Sequence, residues 1–461
     1  MWKADSLRSD VPLYAAIADR IAADIESGRL APGTRLPAQR ALAAALGVNF
    51  TTVTRGYAEA ERRGLVAGEV GRGTFVRVGR GVAGGLRGSD PGRVVDVGVN
   101  LPPALAADAA ARALEGTHAQ MAKDVAHRGL LDYQANAGTP DHRAAGANWI
   151  TGHQPDVAAD PDCVVICSGA QHAITALLMS LTSPGDVVAT ESLTYPGLRS
   201  LAAQMHLQLL GLPADDEGLL VEPFRAACRR GGVAVLYCTP TLHNPTTSTM
   251  SVARRQEIAS VAADAGVPII EDDVYGPLLR ARPPCIASLA REHTYYVASL
   301  SKAVAPGLRI AYVLSPDRRA AERLASAVRA TTWMAAPLLC EIASRWIADG
   351  TANRILQVAR RDLAARQRRA RALLGGWDLR AAPTGMHAWL QLPRPWTTAD
   401  FVLAAQISGV RVAPADAFAV GDAPAAVRLS VGGPAKMDDL EQALAVVAQL
   451  LASPPGFEAR L

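Results

Sequence analysis

The stretch YYVASLSKAVAPGLRIAYVL, residues 295–314, joins two short apolar runs through a loop that carries a lysine and an arginine. The runs at 295–299 and 309–314 are rich in valine, isoleucine and tyrosine, which predicts buried strands. Lys302 directly follows the first strand and is therefore expected at the sheet edge where open α/β folds bind ligands. A lysine there can form an imine with an aldehyde cofactor, although a surface lysine is the commoner explanation of S-x-S-K taken alone.

Further apolar runs lie on both sides of this stretch and alternate with alanine-rich helical segments. Such alternation predicts a large α/β/α domain in which crossover helices join buried parallel strands. After about residue 330 the pattern changes to a long helix at 352–374 and then to separated strands, which predicts a smaller C-terminal α/β subdomain. The other expected strands lie at 163–167, 186–190, 233–238 and 267–270 before this point, and at 387–392, 410–414 and 427–431 after it.

Residues 10–78 have a different pattern, which predicts three helices and a β-wing. Tyr14, Ile17, Ile21 and Ile25 recur every three or four residues, as on one face of a first helix. Residues 36–46 and 51–63 predict the second and third helices, and Gly47 predicts the turn between them. Strands expected at 64–66 and 75–78 flank the tip GEVGRG at 68–73. The glycine-rich segment 79–92 predicts a flexible linker, which leaves 93–461 as the second domain.

Composition and charge limit the class of protein. Apolar residues make up 49% of the 461 residues, but no uninterrupted apolar run is long enough to cross a membrane. The polar start MWKADSLRSD does not resemble a signal peptide, and the six cysteines form no C-x-x-C pair, so we expect a cytoplasmic protein with reduced thiols. The nine histidines have no metal-ligand spacing, and we expect no metal. Residues 1–80 carry twelve Lys and Arg against eight Asp and Glu, which fits contact with nucleic acid, although an ordinary solvated surface is the simpler explanation of this excess taken alone.

The segment from PLYAAIA to GRGTFV, residues 12–76, resembles the GntR family of winged helix-turn-helix proteins. It contains the core P-G-x-x-L-P-x-x-R-x-L-A and the wing G-R-G-T-F-V, whereas Asn49-Phe50 stands where the family usually has Ser-Arg. The resemblance implies that the third helix enters the major groove of DNA. A winged fold that serves protein contacts only is the alternative. The implied DNA contacts are Arg35, Arg40, Thr51, Thr52, Arg55, Arg72, Gly73 and Thr74.

Residues 94–461 resemble the fold-type I aminotransferases, and the combination with a GntR-type head is characteristic of the MocR/GabR group of regulators. The resemblance implies pyridoxal 5'-phosphate bound to Lys302 as an internal aldimine. It also implies that Arg309, Ser299 and Ser301 bind the phosphate, because guanidinium and hydroxyl donors suit this dianion. The segment Ser168, Gly169, Ala170 and Gln171 matches the backbone that holds the same phosphate at a helix N-terminus, although any helix start also needs a cap.

The cofactor ring has its own implied contacts. In IIEDDVYG, Asp272 resembles the carboxylate that keeps the pyridine nitrogen protonated, with Asp273 as the competing candidate. Tyr275 and Asn244 match the donors to the ring oxygen, and Thr247 replaces the glycine of the family motif N-P-T-G. Tyr195 resembles the aromatic residue that stacks on the ring, with a packed core tyrosine as the alternative.

The remaining matches concern a second ligand and a second chain. Arg428 resembles the arginine that holds a substrate carboxylate in a two-pronged bond, which implies an amino-acid-like ligand. Asn100 is expected to line the same pocket. Tyr133 resembles the residue that reaches the phosphate of the partner subunit, so the resemblance implies a head-to-tail homodimer.

Three functions fit these residues. The first is a regulator that binds an operator in double-stranded DNA and senses an amino-acid-like effector, or the cofactor, at Lys302. The second is a working aminotransferase that carries a DNA-binding domain, since Lys302, Asp272 and Arg428 are the side chains that transamination minimally needs. The third is a regulator that responds to the level of pyridoxal phosphate alone.

Overall fold

The computed structural model describes residues 12–26, 29–30, 34–62, 65–69, 73–76, 94–124 and 129–453. The chain divides into two compact units, one within residues 1–89 and the other within 90–461. The expected linker at 79–92 and the expected wing contact Arg72 lie outside the described residues. None of the helices in the described parts is both long and apolar enough to cross a membrane.

In its described residues, the N-terminal unit contains three helices followed by a two-stranded antiparallel sheet. The helices are α1 (Leu13–Glu26), α2 (Gln39–Leu46) and α3 (Phe50–Arg62), and the strands are β1 (Val66–Glu69) and β2 (Gly73–Val76). Ile17 and Ile21 of α1, with Val53 and Tyr57 of α3, are buried in one apolar cluster. Gly47 ends α2 in the left-handed region with a φ of 64°, which a glycine adopts at little cost. The predicted order of elements is confirmed.

Two boundaries in this unit differ from the prediction. Helix α2 begins at Gln39 rather than at residue 36, because the preceding residues extend beside the wing. The backbone N–H of Leu36 donates to Thr74 O at 2.8 Å, and that of Val76 donates to Thr34 O at 2.9 Å. The wing strands also run further into the predicted tip, since Glu69 pairs with Gly73.

The second unit is built on a seven-stranded sheet with the spatial order β4-β12-β11-β10-β9-β5-β6. These strands are β4 (Val164–Cys167), β5 (Val187–Glu191), β6 (Gln208–Leu212), β9 (Val233–Cys238), β10 (Ile269–Asp272), β11 (Thr294–Ser299) and β12 (Ala311–Leu314), and a small hairpin between β6 and β9 holds β7 (Ala214–Asp215) and β8 (Gly218–Leu219). Strands β10, β11 and β12 are buried along their whole length. This sheet therefore forms the centre of the unit's core.

One strand of this sheet corrects the prediction of a purely parallel arrangement. β12 runs antiparallel to both of its neighbours, β11 and β4. The connection between β11 and β12 contains one short 3₁₀ turn at Pro306–Leu308 and no crossover helix, so the chain returns in the opposite direction. β6 was not among the predicted strands; it lies at the sheet edge, where its residues are mostly half-buried.

Helices cover both the large sheet and the smaller region that follows it. They are α4 (Ala104–Asp124), α5 (Pro140–His153), α6 (Ala170–Leu181), α7 (Pro196–Gln204), α8 (Val221–Arg230), α9 (Val252–Ala265), α10 (Ile286–Leu289), α11 (Arg318–Thr331), α12 (Pro337–Ala348), α13 (Thr351–Leu374), α14 (Thr398–Ile407) and α15 (Met437–Ala452). The long helix predicted at 352–374 is thus confirmed as α13.

The smaller region has a four-stranded antiparallel sheet in the order β13-β14-β17-β16. Its strands are β13 (Leu379–Ala381), β14 (His387–Gln391), β16 (Ala413–Pro414) and β17 (Ala426–Ser430). The strand predicted at 410–414 is broken, because its first half, β15 (Val410–Arg411), instead pairs in parallel with β3 (Val95–Asp96). Residues at the start of the second unit therefore pack with its C-terminal part, which brings them close to Arg428 on β17.

Candidate cofactor site

The carboxyl ends of the parallel strands of the large sheet converge on one place. Ser168 follows β4, Tyr195 follows β5, and Asn244 lies in the loop after β9. Asp272 is the last residue of β10, and Lys302 follows β11. This convergence is the ligand-binding position of open α/β sheets. Residues that are far apart in sequence are thereby brought together, as the sequence predicts.

Lys302 is held at the centre of this site by the backbone. Its Nζ donates to Asn100 O at 2.7 Å. Burial, then the positive charges of Arg428 and Arg309, lower the pKa of Lys302 to about 8. A lysine with this pKa is roughly one-tenth neutral at pH 7, so it is available as a nucleophile far more often than a free lysine.

An anion cradle lies beside Lys302 at the start of α6. Gly169 precedes this helix with a φ of 87°, and no side chain caps the helix. A Cβ on Gly169 would overlap the Arg309 guanidinium, so only glycine lets the two approach this closely. Arg309 is exposed and makes two long hydrogen bonds, from Nη1 to Ser301 Oγ and from Nη2 to Ser168 O, each 3.4 Å. The open helix N-terminus and the loosely held guanidinium together suit a phosphate.

The other predicted residues of the cradle have separate roles in the structure. Ala170 begins α6, and Gln171 Nε2 donates to Gly197 O at 3.4 Å. Ser299 is fully buried; its hydroxyl donates to Ile310 O at 3.3 Å and accepts from the Ser301 N–H at 3.1 Å. The Ser299 hydroxyl thus positions Ser301 within this loop, and its contact with the phosphate stays a prediction.

Two adjacent aspartates at the end of β10 are separated by their partners. Asp272 Oδ2 accepts from the Tyr237 hydroxyl at 2.6 Å, and burial raises the pKa of Asp272 to about 6. Asp273 instead accepts from Arg282 and from the Tyr296 hydroxyl. The two carboxylates thus have different surroundings. Asp272 is the one whose charge acts on Lys302 and Tyr195, which favours it over Asp273 as the partner of a ring nitrogen.

Asn100 connects the site to the small sheet. Its Nδ2 donates to the Tyr275 hydroxyl at 3.0 Å and to His387 Nδ1 at 3.0 Å, and its Oδ1 accepts from Ser430 Oγ at 3.3 Å. His387 Nε2 lies 3.1 Å from His243 O, which can only accept, so this nitrogen carries the proton. Burial lowers the pKa of His387 to about 3, and the ring stays neutral.

Arg428 differs from Arg309 in its surroundings, because it is buried and its hydrogen bonds are short. Its Nη1 donates to Asn244 Oδ1 at 2.7 Å, and its Nη2 donates to Gly98 O at 2.6 Å. The guanidinium carbon also lies 4.8 Å from the centre of the Phe418 ring. Asn244 is thereby oriented by the same arginine that the sequence predicts to hold a carboxylate.

Tyr195 and Thr247 complete the inner site. Tyr195 is half-buried, and burial, then the charge of Asp272, raises its pKa. A fully packed core tyrosine is therefore not what the structure shows. Thr247, which replaces the family's glycine, adopts the positive φ of 67° that a glycine would provide. The turn is thus kept, with the strain that a β-branched residue has in this region.

Tyr133 is the one predicted cofactor residue that this chain does not bring to the site. Its side chain is 83% exposed and packs edge-on against Trp333, with ring centres 5.7 Å apart. Leu131 is 87% exposed nearby in the sequence. These residues form an aromatic and apolar surface around the loop that precedes α5.

Several residues of the site were not found from the sequence. Tyr237 binds Asp272, His387 and Ser430 bind Asn100, and the Gly98 carbonyl binds Arg428. Tyr237 and His387 lie in runs that the sequence identifies only as strands. The chemical partners come from distant parts of the chain, so spacing along the sequence gives no signal for them.

Four of the predicted DNA-contact residues, Arg35, Arg40, Thr51 and Arg55, are exposed on the N-terminal unit. Arg40 is exposed with its guanidinium carbon 5.8 Å from the Phe50 ring centre, and Arg55 lies over Tyr14 at 4.4 Å. Asn49 Oδ1 accepts from both the N–H and the hydroxyl of Thr51 at 3.0 Å, which caps α3. The remaining positions are Arg35, which is exposed, Thr52 in α3, and Gly73 and Thr74 in β2.

The residues present fit pyridoxal phosphate. The uncapped start of α6 and the exposed Arg309 match a phosphate, the buried Asp272 matches a protonated ring nitrogen, and Lys302 with a lowered pKa matches an aldehyde. Because Gly169 has no Cβ, the Arg309 guanidinium can approach the start of α6.

Comparisons with known proteins identify a family for each of the two units. Residues 13–76 match the family described as bacterial regulatory proteins, gntR family, and residues 93–446 match aminotransferase class I and II. The uncharacterized HTH-type transcriptional regulator YdeF of Bacillus subtilis is 32% identical over 463 residues, covering 98% of this chain and 96% of that protein. The vitamin B6 salvage pathway transcriptional repressor PtsJ of Salmonella typhimurium is 29% identical, covering 90% and 93%.

Among solved structures, the kynurenine aminotransferase of Pyrococcus horikoshii is 22% identical with a TM-score of 0.72, covering 80% of this chain and 95% of that chain. This likeness establishes the fold-type I architecture of the second unit. The chain therefore belongs to the MocR/GabR type of regulators, in which a GntR-family winged helix-turn-helix precedes a domain of the aminotransferase class I and II family.

Proposed function

We propose that this protein regulates transcription by binding an operator in double-stranded DNA through its N-terminal unit and a small amino compound through its second unit. Pyridoxal phosphate is the cofactor of the second unit. The effector is an amino-acid-like molecule with a carboxylate. The observation that carries the proposal is that one chain contains both a GntR-type winged unit and a site where Lys302, Asp272, Arg309 and Arg428 converge.

The residues of the site have distinct roles in this proposal. Arg309 and the start of α6 bind the cofactor's phosphate, Asp272 keeps the ring nitrogen protonated, and Asn244 and Tyr275 donate to the ring oxygen. Lys302 provides the amine that binds the cofactor and later exchanges protons with the ligand. When bound, the cofactor supplies an aldehyde that joins amines and a cationic ring that accepts electron density. Arg428 orients the ligand's carboxylate.

The assembly that we propose is a head-to-tail homodimer in the cytoplasm. The exposed surface around Tyr133, Leu131 and Trp333 supports a subunit interface, because large apolar side chains rarely remain in contact with water in such a cluster. The Tyr133 hydroxyl would then reach the phosphate in the partner's site. Sedimentation of the purified chain tests this assembly, and a monomer at micromolar concentration would contradict it.

The function is tested by an absorbance scan of the purified, pyridoxal-phosphate-loaded chain with a set of amino acids, followed by DNA binding on the same samples. The DNA duplex used is one that the protein selects by binding from a pool of random sequences. We expect one amino acid to shift the cofactor's absorbance and to change the affinity for DNA. Absence of a cofactor band after addition of pyridoxal phosphate would show that the second unit is only a scaffold.

A second candidate function is aminotransferase activity. The observation that favours it is the lowered pKa of Lys302, because a partly neutral lysine beside a ring-nitrogen partner is also what proton transfer in catalysis needs. Turnover of an amino acid with a keto acid would support an enzyme. Ligand-dependent DNA binding without turnover would support the sensor. A third possibility, a response to pyridoxal phosphate alone, predicts DNA binding that depends on the cofactor but on no amino acid.

The DNA-binding role has its own test in Arg40→Ala. Loss of an exposed arginine that contacts DNA should weaken binding to the selected duplex about tenfold and reduce the dependence on salt. Arg368→Ala, an exposed arginine on α13 of the other unit, is the matched control and should bind as the wild type does. Unchanged affinity of Arg40→Ala across salt concentrations would remove this residue from the interface.

A further inference from the structure

Residues 95–100, which we call the strap, form the beginning of the described part of the second unit. In the sequence they follow the segment that leads from the DNA-binding unit. The strap pairs with β15: the Val95 N–H donates to Gly409 O and the Val97 N–H to Arg411 O, each at 2.9 Å. Its fixed position therefore depends on contacts within the smaller region, and these contacts extend into the cofactor site.

Asp96 stabilises the turn of the strap. Its Oδ1 accepts from the Gly98 N–H at 2.7 Å and from the Val99 N–H at 3.2 Å, and its Oδ2 binds Arg411 at 2.9 Å. An aspartate that accepts from backbone two residues on forms a local turn that fixes the backbone. The carbonyl groups of Gly98 and Asn100 are oriented as a result.

These two carbonyls bind the two cationic groups that the ligands need. Gly98 O accepts from Arg428 Nη2 at 2.6 Å, and Asn100 O accepts from Lys302 Nζ at 2.7 Å. Nη2 has a second N–H, and Arg428 Nε has no partner among the described residues, so a two-pronged carboxylate at Nε and Nη2 would lie beside Gly98 O. Nη1 is already engaged by Asn244 Oδ1 at 2.7 Å. A ligand carboxylate that takes the Nη2 hydrogen bound by Gly98 O competes with the strap for Arg428.

We propose that the strap is a built-in competitor of the effector, and that its displacement from Arg428 is the first conformational step of the response. A charged carboxylate is a stronger acceptor than a neutral carbonyl, so the ligand wins this competition at sufficient concentration. Attachment of the cofactor to Lys302 leaves Nζ with fewer hydrogens to donate, which weakens the second contact. The inference rests on the proposed function, because it takes Arg428 to be the carboxylate site.

The strap has little room to adjust without moving as a whole. A Cβ on Gly433, just beyond β17, would lie 3.1 Å from Asp96 O and 3.1 Å from Val99 O, and one on Gly432 would overlap Leu101 O. The backbone of the strap therefore packs directly on the backbone after β17. Because β17 carries Arg428, a change at this arginine and a shift of the strap are mechanically connected.

Asp96→Ala in the full, pyridoxal-phosphate-loaded chain tests the competition. The probe is pentanoate, a carboxylate without an amine that cannot react with the cofactor, and its affinity is measured by titration calorimetry. Loosening the strap increases the fraction of chains with a free Arg428, so pentanoate should bind about fivefold more tightly. Asp215→Ala is the matched control, since Asp215 likewise accepts from a turn amide, Glu217 N–H at 2.9 Å, and binds Arg254 at 3.0 Å. Equal or weaker binding by Asp96→Ala would overturn the proposal.

Hydrogen exchange gives a second measurement that separates the strap from the proposed function. Saturating pentanoate should accelerate exchange of the Val97, Gly98 and Val99 amides about fivefold in the wild type. Slower exchange would mean that the strap closes on the ligand, which overturns the proposal. If pentanoate does not bind at all, the proposed role of Arg428 fails. In that case, hydrogen exchange in Arg428→Lys tests whether Arg428 restrains the strap. Faster exchange at residues 97–99 supports this restraint, and unchanged exchange contradicts it.

Discussion

Two arginines of the same site are held in opposite ways. Arg309 is exposed and makes only two hydrogen bonds of 3.4 Å, whereas Arg428 is buried with bonds of 2.7 Å and 2.6 Å to Asn244 and Gly98. The first is open to its anion, and the second is occupied by the chain itself. We infer that the phosphate of the cofactor binds without displacing protein contacts, whereas a carboxylate has to share Arg428 with acceptors of the chain itself. This difference is what a permanent cofactor and a reversible effector each require.

The largest expected effect concerns the open arginine. Arg309→Leu removes the charged donor of the cradle and should lower the affinity for pyridoxal phosphate about 100-fold, because hydrogen bonds to charged groups contribute about 1.5–3 kcal/mol each. Titration of the cofactor-free chain, followed by absorbance, measures this affinity. Arg368→Leu on the exposed face of α13 is the control and should bind normally. Normal binding by Arg309→Leu would place the phosphate elsewhere.

Arg428, which is bound by the chain itself, is tested by a substitution that keeps its positive charge. Arg428→Lys loses the two-pronged geometry and should weaken pentanoate binding about 30-fold, while pyridoxal phosphate binding changes less than about threefold. The corresponding Arg309→Lys should retain most cofactor affinity, because a phosphate also accepts a point charge. Equal losses in the two lysine variants, each for its own anion, would remove the distinction between the two arginines.

The close approach of Gly169 to Arg309 predicts a smaller effect. In Gly169→Ala the new Cβ overlaps the guanidinium and pushes it from the cradle, so pyridoxal phosphate should bind about tenfold more weakly. Gly185→Ala is matched in backbone, with a φ of 94°, but its Cβ would meet nothing within 4 Å. Both variants are strained, and only the first should lose cofactor affinity. A loss of the same size in both would attribute the effect to strain alone.

The smallest expected effect is a shift in the titration of Lys302. Its pKa is lowered to about 8 by burial, then by Arg428, then by Arg309. Removing either charge raises this pKa, and less neutral amine is then present at pH 7. The midpoint of the rate of pyridoxal attachment against pH should rise by about half a unit in Arg428→Leu and by less in Arg309→Leu. Pyridoxal lacks the phosphate, so the loss of the cradle does not interfere. A lower midpoint in either variant would contradict the predicted direction of the pKa shift.

The elements of the fold could be predicted where apolar periodicity is strong. The strands at 233–238 and 294–299, helix α13 and the three helices of the winged unit follow from patterns within a short window. The antiparallel β12 could not be predicted, because strand direction depends on how the chain turns between 300 and 310 rather than on strand composition. The pairing of β3 with β15 joins positions more than 300 residues apart, and no local pattern reports such contacts.

The residues of the site could likewise be predicted only in part. Lys302, Asp272 and Arg428 could be predicted because each lies in a motif with characteristic spacing. The choice between Asp272 and Asp273 needed the structure, since only the three-dimensional partners Tyr237, Arg282 and Tyr296 distinguish them. The engagement of Arg428 by Gly98 also escaped prediction, because a backbone carbonyl has no identity in the sequence.

The most direct test of the central claim compares DNA affinity of the pyridoxal-phosphate-treated wild type with that of Lys302→Ala on the same selected duplex. If the second unit controls the first through this lysine, the two proteins should differ in affinity by about fivefold or more, the usual size of coupling between two sites. Both should bind with equal affinity to DNA when pyridoxal phosphate is omitted. Equal affinities in its presence, with the wild type fully loaded, would contradict the account and leave the two units functionally independent.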